Sequence, residues 1–402
     1  MNRIILCLVC LLTTVSLFGM EPVKRIENGT KPKGKVKTLK FTEELRLTAD
    51  QGDEYLWVGP TARVEPDHNG MMYVLDTRER RVLEFDQNGK FTRVVGKQGP
   101  GPGEFQMPQA LQIFPDGTAM VHELVGPMVT VNYYDKGMVF KDRTQTQTLT
   151  GLLEGVVYAP DKSKKFANKV NVDMQKQTMV VFNGLMDEKS EPLIQVAQYE
   201  MMGINPARIG EANYWVEFMA DRIRIGLHGI AGIMAFDSEG HFYSALNGQY
   251  QITQYDAKQN KTLEISRKYK PLPFTEEEIT AVADPIYEIL MTQLPPQLQE
   301  IITPAVMRRA VQKAEPPPVK PPVNGIVVME DGHILVIFDS NLVTGKGVVD
   351  IFSPRGEYLG QAERDNRPFA RMVFRNGKAY TMETVDGENE LVRYDVKLVD
   401  AK

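Results

Sequence analysis

The chain has 402 residues, 42% hydrophobic and 25% charged, enough apolar material for a sizeable core and unlike the composition of a disordered or fibrous protein. Its net charge of −5 argues against a nucleic-acid partner, which would call for a basic surface. The two cysteines, Cys7 and Cys10, both lie at the extreme N-terminus.

That N-terminus, residues 1–19, reads as a secretory signal peptide, with Arg3 as its positive start, Ile4–Phe18 as its apolar run and Leu17-Phe18-Gly19 as a small-residue cleavage site. The run is short for a membrane span, so no stable span is expected after cleavage. Neither cysteine has the small-residue context of a lipoprotein signal. The mature chain is then free of thiols, which excludes disulfides, thiolate metal sites and a cysteine nucleophile, and suits an oxidising, extracytoplasmic location, periplasmic or secreted. Residues 20–35 read as a linker, and the basic run Lys31–Lys40 as a solvated part of the approach to the domain.

From residue 36 to the end, one unit recurs: an apolar strand, a turn with glycine, a second strand, a polar loop, and a third strand ending in an aromatic residue. The turn glycines are Gly70, Gly117, Gly240, Gly332 and Gly377, and the matching third strands end at Phe85, Tyr134, Tyr255, Phe352 and Tyr394. Asn69-Gly70, Asp116-Gly117, Asp331-Gly332 and Asn376-Gly377 are hairpin dipeptides, expected as two-residue turns with φ > 0 at the centre. The glycines stand 47, 123, 92 and 45 residues apart. With about 40 to 50 residues per propeller blade, the longest gap hides a divergent unit near Val156–Tyr199 and the next holds an insertion. Six blades result. The last shows three strands, and the unpaired segment Val36–Leu47 supplies its missing outer strand, closing the ring between the termini.

Blade 1 is followed by Gly96–Phe105, where four glycines and two prolines within eight residues forbid helix or strand and predict a tight, solvent-facing connection. It has no Lys-Ser/Thr and opens no helix, so it is not a phosphate cradle. Asp76 and Asp86 read as turn caps.

The run Tyr73-Val-Leu-Asp-Thr-Arg-Glu-Arg-Arg-Val-Leu-Glu-Phe-Asp-Gln-Asn-Gly-Lys90, continued by Val94-Val-Gly96, Gly101-Pro-Gly-Glu-Phe105 and Pro108, resembles an NHL-type repeat, and the chain as a whole resembles the secreted bacterial six-bladed β-propeller proteins of the NHL-repeat-like class. The close match spans Val64–Gly117 and the looser pattern most of Phe41–Val399, with Glu79 standing where such repeats usually carry Asn. The resemblance implies an all-β, six-bladed β-propeller. Members of the broad class mostly bind partners, and some related propellers are lyases or lactone hydrolases.

Pro273–Pro322, between blades 4 and 5, reads as the only strongly helical stretch. Thr275-Glu-Glu-Glu278 is a capping box, apolar residues from Ile279 to Leu290 follow at helical spacing, and Asp284-Pro285 is expected to kink or divide the helix. Thr303-Pro304 reads as N-cap and N1 of a second helix reaching about Lys313, followed by a polyproline return through Glu315–Pro322.

Strand alternation places first-to-second turns on one end of the ring, and second-to-third loops, interblade connections and the insertion on the other. Loops on a rigid scaffold carry recognition, so the second end is the expected binding face, with Arg78, Glu79, Arg80, His122, Glu123, Asn247, Gln249, Asp339, Asn341 and Glu383 as candidate residues. His122-Glu123 is read as a loop. The five histidines are scattered with no His-x-x-x-His pair, and there is no Gly-x-Ser-x-Gly elbow. The expected function is a binding or scaffold module for an unknown protein or small-molecule ligand, with no cofactor and no catalytic residue assigned. The alternative is a lactone-hydrolase-like or lyase-like propeller holding a divalent cation on Asp, Glu and Asn at the channel mouth.

Overall fold

The computed structural model describes residues 22–48, 62–125, 128–147, 156–173, 175–246, 248–341, 343–344, 346–363, 369 and 372–401. The segment read as a signal peptide lies outside them.

After β1 (Lys24–Asn28) and β2 (Lys37–Leu47), the chain builds antiparallel sheets in succession. Blade 1 is β3 (Arg63–Pro66), β4 (Met72–Asp76), β5 (Arg81–Phe85) and β6 (Phe91–Val95). Blade 2 is β7 (Pro108–Ile113), β8 (Ala119–Val125), β9 (Met128–Asp135) and β10 (Val139–Gln147). The divergent blade 3 is β11 (Val157–Tyr158), β12 (Lys164–Asp173), β13 (Thr178–Asp187) and β14 (Pro192–Met202), followed by helix α1 (Ala212–His228). Blade 4 is β15 (Ile233–Phe236), β16 (Phe242–Ala245), β17 (Gln251–Tyr255) and β18 (Lys261–Arg267). Helices α2 (Glu276–Gln293), α3 (Pro296–Gln299) and α4 (Pro304–Lys313) come next. Blade 5 is β19 (Gly325–Val328), β20 (Ile334–Ser340), β21 (Gly347–Phe352) and β22 (Tyr358–Glu363), and blade 6 is β23 (Val373–Arg375), β24 (Lys378–Val385) and β25 (Glu388–Asp400). Blades 5 and 6 are continuous only through the bridge Lys37↔Gly360 between β2 and β22. The chain is a six-bladed β-propeller.

β2 lies outside β25 as the fourth strand of blade 6, antiparallel from Lys37↔Asp400 to Leu47↔Leu391. The end of the chain is thus hydrogen-bonded to its beginning, and the long edge of β25 is covered. Arg46 on β2 reinforces the closure, pairing with Glu43, Glu383 and Glu390. The expected linker is partly strand: β1 adds to blade 4 in parallel with β18. Asn28 on β1 donates to Gly356 O (2.9 Å) and accepts from Tyr358 N (2.9 Å), so this strand also ties blade 4 to blade 5.

All five turn glycines have φ between 69° and 84°. Three of the four turns expected to hold two residues are longer. In blade 1, Asp67 N donates to Met71 O and Gly70 N to Asp67 O, a three-residue loop in which glycine takes the left-handed position; blades 2, 4 and 5 repeat the pattern. In blades 1 and 4 an aspartate side chain supports the longer loop, Asp67 accepting from Asn69 N and Met71 N and Asp237 from Glu239 N and His241 N. Only Asn376-Gly377, both left-handed and flanked by the pair Arg375↔Lys378, forms the two-residue turn.

The Gly/Pro loop is folded back and pinned rather than simply solvent-facing. Phe105 N donates to Lys97 O and Gly99 N to Phe105 O, while the Phe105 ring is fully buried between blades 1 and 2. A Cβ on Gly96 would stand 2.3 Å from that ring, so glycine is required there for contact as well as for its φ of 74°.

α1 lies outside Pro273–Pro322, so that segment is not the only helical stretch. Its N-cap, Glu211, makes no side-chain capping bond, and its Tyr214-Trp215-Val216 run is as compatible with a strand. Trp215, Phe218 and Ile223 of α1 pack with Ala283 of α2 and with Val306, Met307 and Ala310 of α4, forming one helical layer. α2 has the expected capping box, and Lys320 closes onto its buried Glu278. α2 runs through Pro285 as one element, so the expected division does not occur. Partly buried Ile279, Val282 and Ile286 around the proline pack into that layer and hold the helix on both sides of it.

The remaining core lies between blades. Apolar clusters join blade 1 to 2, 2 to 3, 4 to 5, 5 to 6 and 6 to 1.

Candidate functional site

Closing six blades brings their first strands, β3, β7, β11, β15, β19 and β23, around a common axis. They enclose a cavity of about 390 Å³ that runs along these strands to the turns following them. Much of the wall is apolar, including Phe114, Tyr158, Phe166, Phe236, Ile326 and Phe374. Phe166 and Phe236 stack at 5.7 Å, holding blade 3 against blade 4 beside the axis.

Charge enters this wall mainly from two neighbouring blades. On β3, Arg63 and Glu65 alternate with buried Val64 and Pro66, so the pleat turns both charged side chains toward the axis. Arg375 ends β23, and His68 and Glu330 stand in the turns after β3 and β19. The surface that Glu65 exposes faces the cavity rather than bulk water. Desolvation therefore outweighs the Arg375 and Arg63 guanidiniums and pushes its carboxyl up to about 7. The His68 imidazole is lowered by desolvation and then by Arg375. Nη1 of Arg375 is buried and has no hydrogen-bond partner among the described residues. The rim is fastened by the last hairpin: Asn376 N donates to Glu330 Oε2 (2.6 Å) and Asn376 Nδ2 to His68 O (3.0 Å).

None of the described residues expected from sequence lines this cavity. Arg78, Glu79 and Arg80 form the β4–β5 turn, with Arg78 and Glu79 exposed and Arg80 at φ 57°. His122 and Glu123 are not in a loop; they are buried within β8. Glu123 accepts from Gln106 N (2.5 Å), Met107 N (3.2 Å) and Asn132 Nδ2 (2.7 Å), so its oxygens hold the end of the Gly/Pro loop. Arg143 completes that clamp by donating to Pro100 O and Glu104 O. The His122 ring lies 5.4 Å from the Tyr158 ring, and neither nitrogen has a partner among the described residues. Desolvation, helped by Lys165, lowers its pKa to about 4 and keeps it neutral at pH 7. Asn247 lies outside the described residues. Gln249 is exposed, and Asp339 is in β20. Asn341 caps its own turn, accepting from Val343 N and Thr344 N. Glu383 is in β24 rather than a loop and accepts from Tyr394 Oη (2.7 Å) and Arg46. The candidates are spread over five blades, and Glu123, Asn341 and Glu383 serve local structure.

The axial residues were missed because they lie in or just after strands, away from the long loops. The available signal was the charged alternation Arg63-Val-Glu65 in a first strand, where other blades are largely apolar. Among the described residues, no three His, Cys, Asp or Glu side chains converge as a metal site.

The fold and cavity together define a six-bladed propeller with a charged axial chamber. A family model described as a 6-bladed beta-propeller matches residues 56–119. Among solved structures, the chain is similar to a member of the duf4221 family from Bacteroides vulgatus, with 11% identity over 90% of this chain and 99% of that one and a TM-score of 0.48. It is similar also to a virginiamycin B lyase from Staphylococcus aureus, with 9% identity, coverage of 89% and 99%, and a TM-score of 0.41. A third is an aldose sugar dehydrogenase from Streptomyces coelicolor, with 10% identity, coverage of 91% and 100%, and a TM-score of 0.38. No curated protein sequence matches. At these identities the functional reading rests on the chain's own residues. No helix among the described residues is long and apolar enough to cross a membrane.

Proposed function

We propose that this chain is an extracytoplasmic binding module of the NHL-like propeller class that holds a small carboxylate-bearing ligand in its axial cavity. The observation that carries the reading is the buried Nη1 of Arg375, without a partner among the described residues, in the wall of a chamber of about 390 Å³, a volume within the range of small-molecule sites. A guanidinium presents a fork of donors matched to a carboxylate, and the aromatic wall suits an apolar body attached to it. On this reading the interblade-loop end, with exposed Arg78 and Glu79, is free to meet a protein partner.

The test is a thermal-shift and calorimetric screen of the mature protein against small aromatic and aliphatic carboxylic acids and their amides. The acids should bind and the amides should not, and Arg375→Met should weaken the acids at least tenfold, about 1.4 kcal/mol. Equal binding of acids and amides, or unchanged affinity in the variant, refutes the reading. One observation favours a catalytic alternative: a carboxyl titrating near 7 is suited to general acid–base work. Turnover of a lactone or of an eliminable ester that disappears in Glu65→Gln would move the assignment to an enzyme.

A further inference from the structure

Five of the six blade junctions are closed by an apolar cluster; among the described residues, none joins blade 3 to blade 4. The reason lies in the face blade 4 presents there. Ser244 is paired with Thr253 and Phe242 with Tyr255, so these side chains share one face with Gln251, while Tyr243, Ala245 and Ile252 on the other face pack against blade 5. Beyond the Phe166–Phe236 stack beside the axis, the 3–4 junction holds a cleft of about 470 Å³ between β14 and the β16–β17 hairpin.

Its polar lining is Gln195, Ser244, Gln249, Gln251, Thr253 and Tyr255, completed by Val196, Leu246 and Gly248. No charged residue is among them. The side chains of Gln195, Gln249, Gln251, Thr253 and Tyr255 have no hydrogen-bond partner among the described residues. Amides and hydroxyls both donate and accept, and polar groups gathered at a junction that is elsewhere apolar remain dependent on water or a ligand for their bonds.

We propose that this cleft binds a neutral saccharide. A sugar hydroxyl is itself both donor and acceptor, so it can satisfy amides and hydroxyls in either sense. The uncharged lining offers no ion pair to a uronic acid or an amino sugar. The Tyr255 ring and the Leu246 and Val196 side chains provide the apolar contact that the C–H face of a pyranose requires. The volume falls within the range of small-molecule sites.

Saturation-transfer NMR on the mature protein, with maltose, cellobiose, lactose and maltotriose as probes and glucuronic acid and glucosamine as charged controls, tests this. At least one neutral sugar should show transfer, and the charged controls should show little. Gln251→Leu combined with Thr253→Val should reduce the affinity tenfold or more, whereas Arg375→Met in the axial cavity should leave it unchanged, which separates this site from the proposed ligand chamber. If the double variant lowers the melting temperature, Gln249→Ala, at an exposed position, replaces it and should reduce affinity threefold or more. Transfer from none of the neutral sugars, equal transfer from the charged controls, or affinity indifferent to Gln249 and to the double variant overturns the proposal.

Discussion

Replacing Glu65 by Gln tests the electrostatics of the axial cavity without depending on any ligand. The folded carboxyl titrates at about 7 against an ordinary value of 4.5, because desolvation exceeds the attraction of Arg375 and Arg63. At about 1.36 kcal/mol for each pH unit, this corresponds to about 3 kcal/mol. The pKa is raised in the folded state, so the favourable contribution is complete below pH 4.5. It is lost as pH rises toward 7, where the unfolded chain has released its proton and the folded one must do so inside the cavity. Glutamine keeps the neutral shape and removes this dependence. At pH 4 the variant and the parent should melt together, and at pH 8 the variant should be more stable by up to about 3 kcal/mol. For a chain of this length the unfolding entropy is about 0.8 kcal/mol per K, so the difference amounts to roughly 4 °C. Calorimetry at pH 4, 6 and 8 provides the measurement. A constant offset across pH, or a variant less stable at pH 8, would falsify the assignment of a desolvated carboxyl to this position.

The buried His122 acts in the opposite sense: its folded pKa of about 4 lies below the ordinary 6.5, so its contribution is present above pH 6.5 and is lost as pH falls toward 4. The parent should lose about 3 kcal/mol from this group across that window and His122→Phe should lose none, as read from urea midpoints at pH 7 and pH 4. Deleting Lys37–Leu47 removes the partner of β25 and the buried Leu39 and Leu47; light scattering and thermal melts should show aggregation or a loss of at least about 5 °C, and an unchanged melt would mean that the ring closes without β2. Gly332 has φ 82° and a Cβ there would meet Pro354 at 3.2 Å, so Gly332→Val should cost roughly 1 to 3 kcal/mol. Gly210 is the proper control, with open space and no left-handed φ, whereas Gly34 in the N-terminal approach is itself at φ 78°; chemical denaturation of the two variants should differ by at least about 1 kcal/mol.

Local chemistry alone determined much of this propeller. Aspartate and glycine at recurring positions specify left-handed turns wherever the chain runs, and alternating apolar residues between them can only be strands. The repeat spacing therefore yields six blades, and the three-strand last repeat with an unpaired strand at the start yields the closure at β2. The capping box at Thr275 and the Thr303-Pro304 start were legible for the same reason, since each is settled within four residues. The three-residue length of four turns was settled by their backbone pairing, reinforced in blades 1 and 4 by Asp67 and Asp237 carboxylates that each accept from two backbone amides. α1 carried no capping signal and owes its helical state to burial against α2 and α4. The sites were decided further still from the sequence. Arg63 and Glu65 meet Arg375 only because the ring closes, and nothing near residue 65 announces a guanidinium more than 300 positions later. His122 and Glu123 looked like loop residues until β8 ran through them, and packing then turned one into a neutral buried ring and the other into an anchor for the Gly/Pro loop. The polar cleft, too, arises from which face of blade 4 meets blade 3, a matter of pleat and packing that residue identity at Gln251 and Thr253 does not reveal by itself.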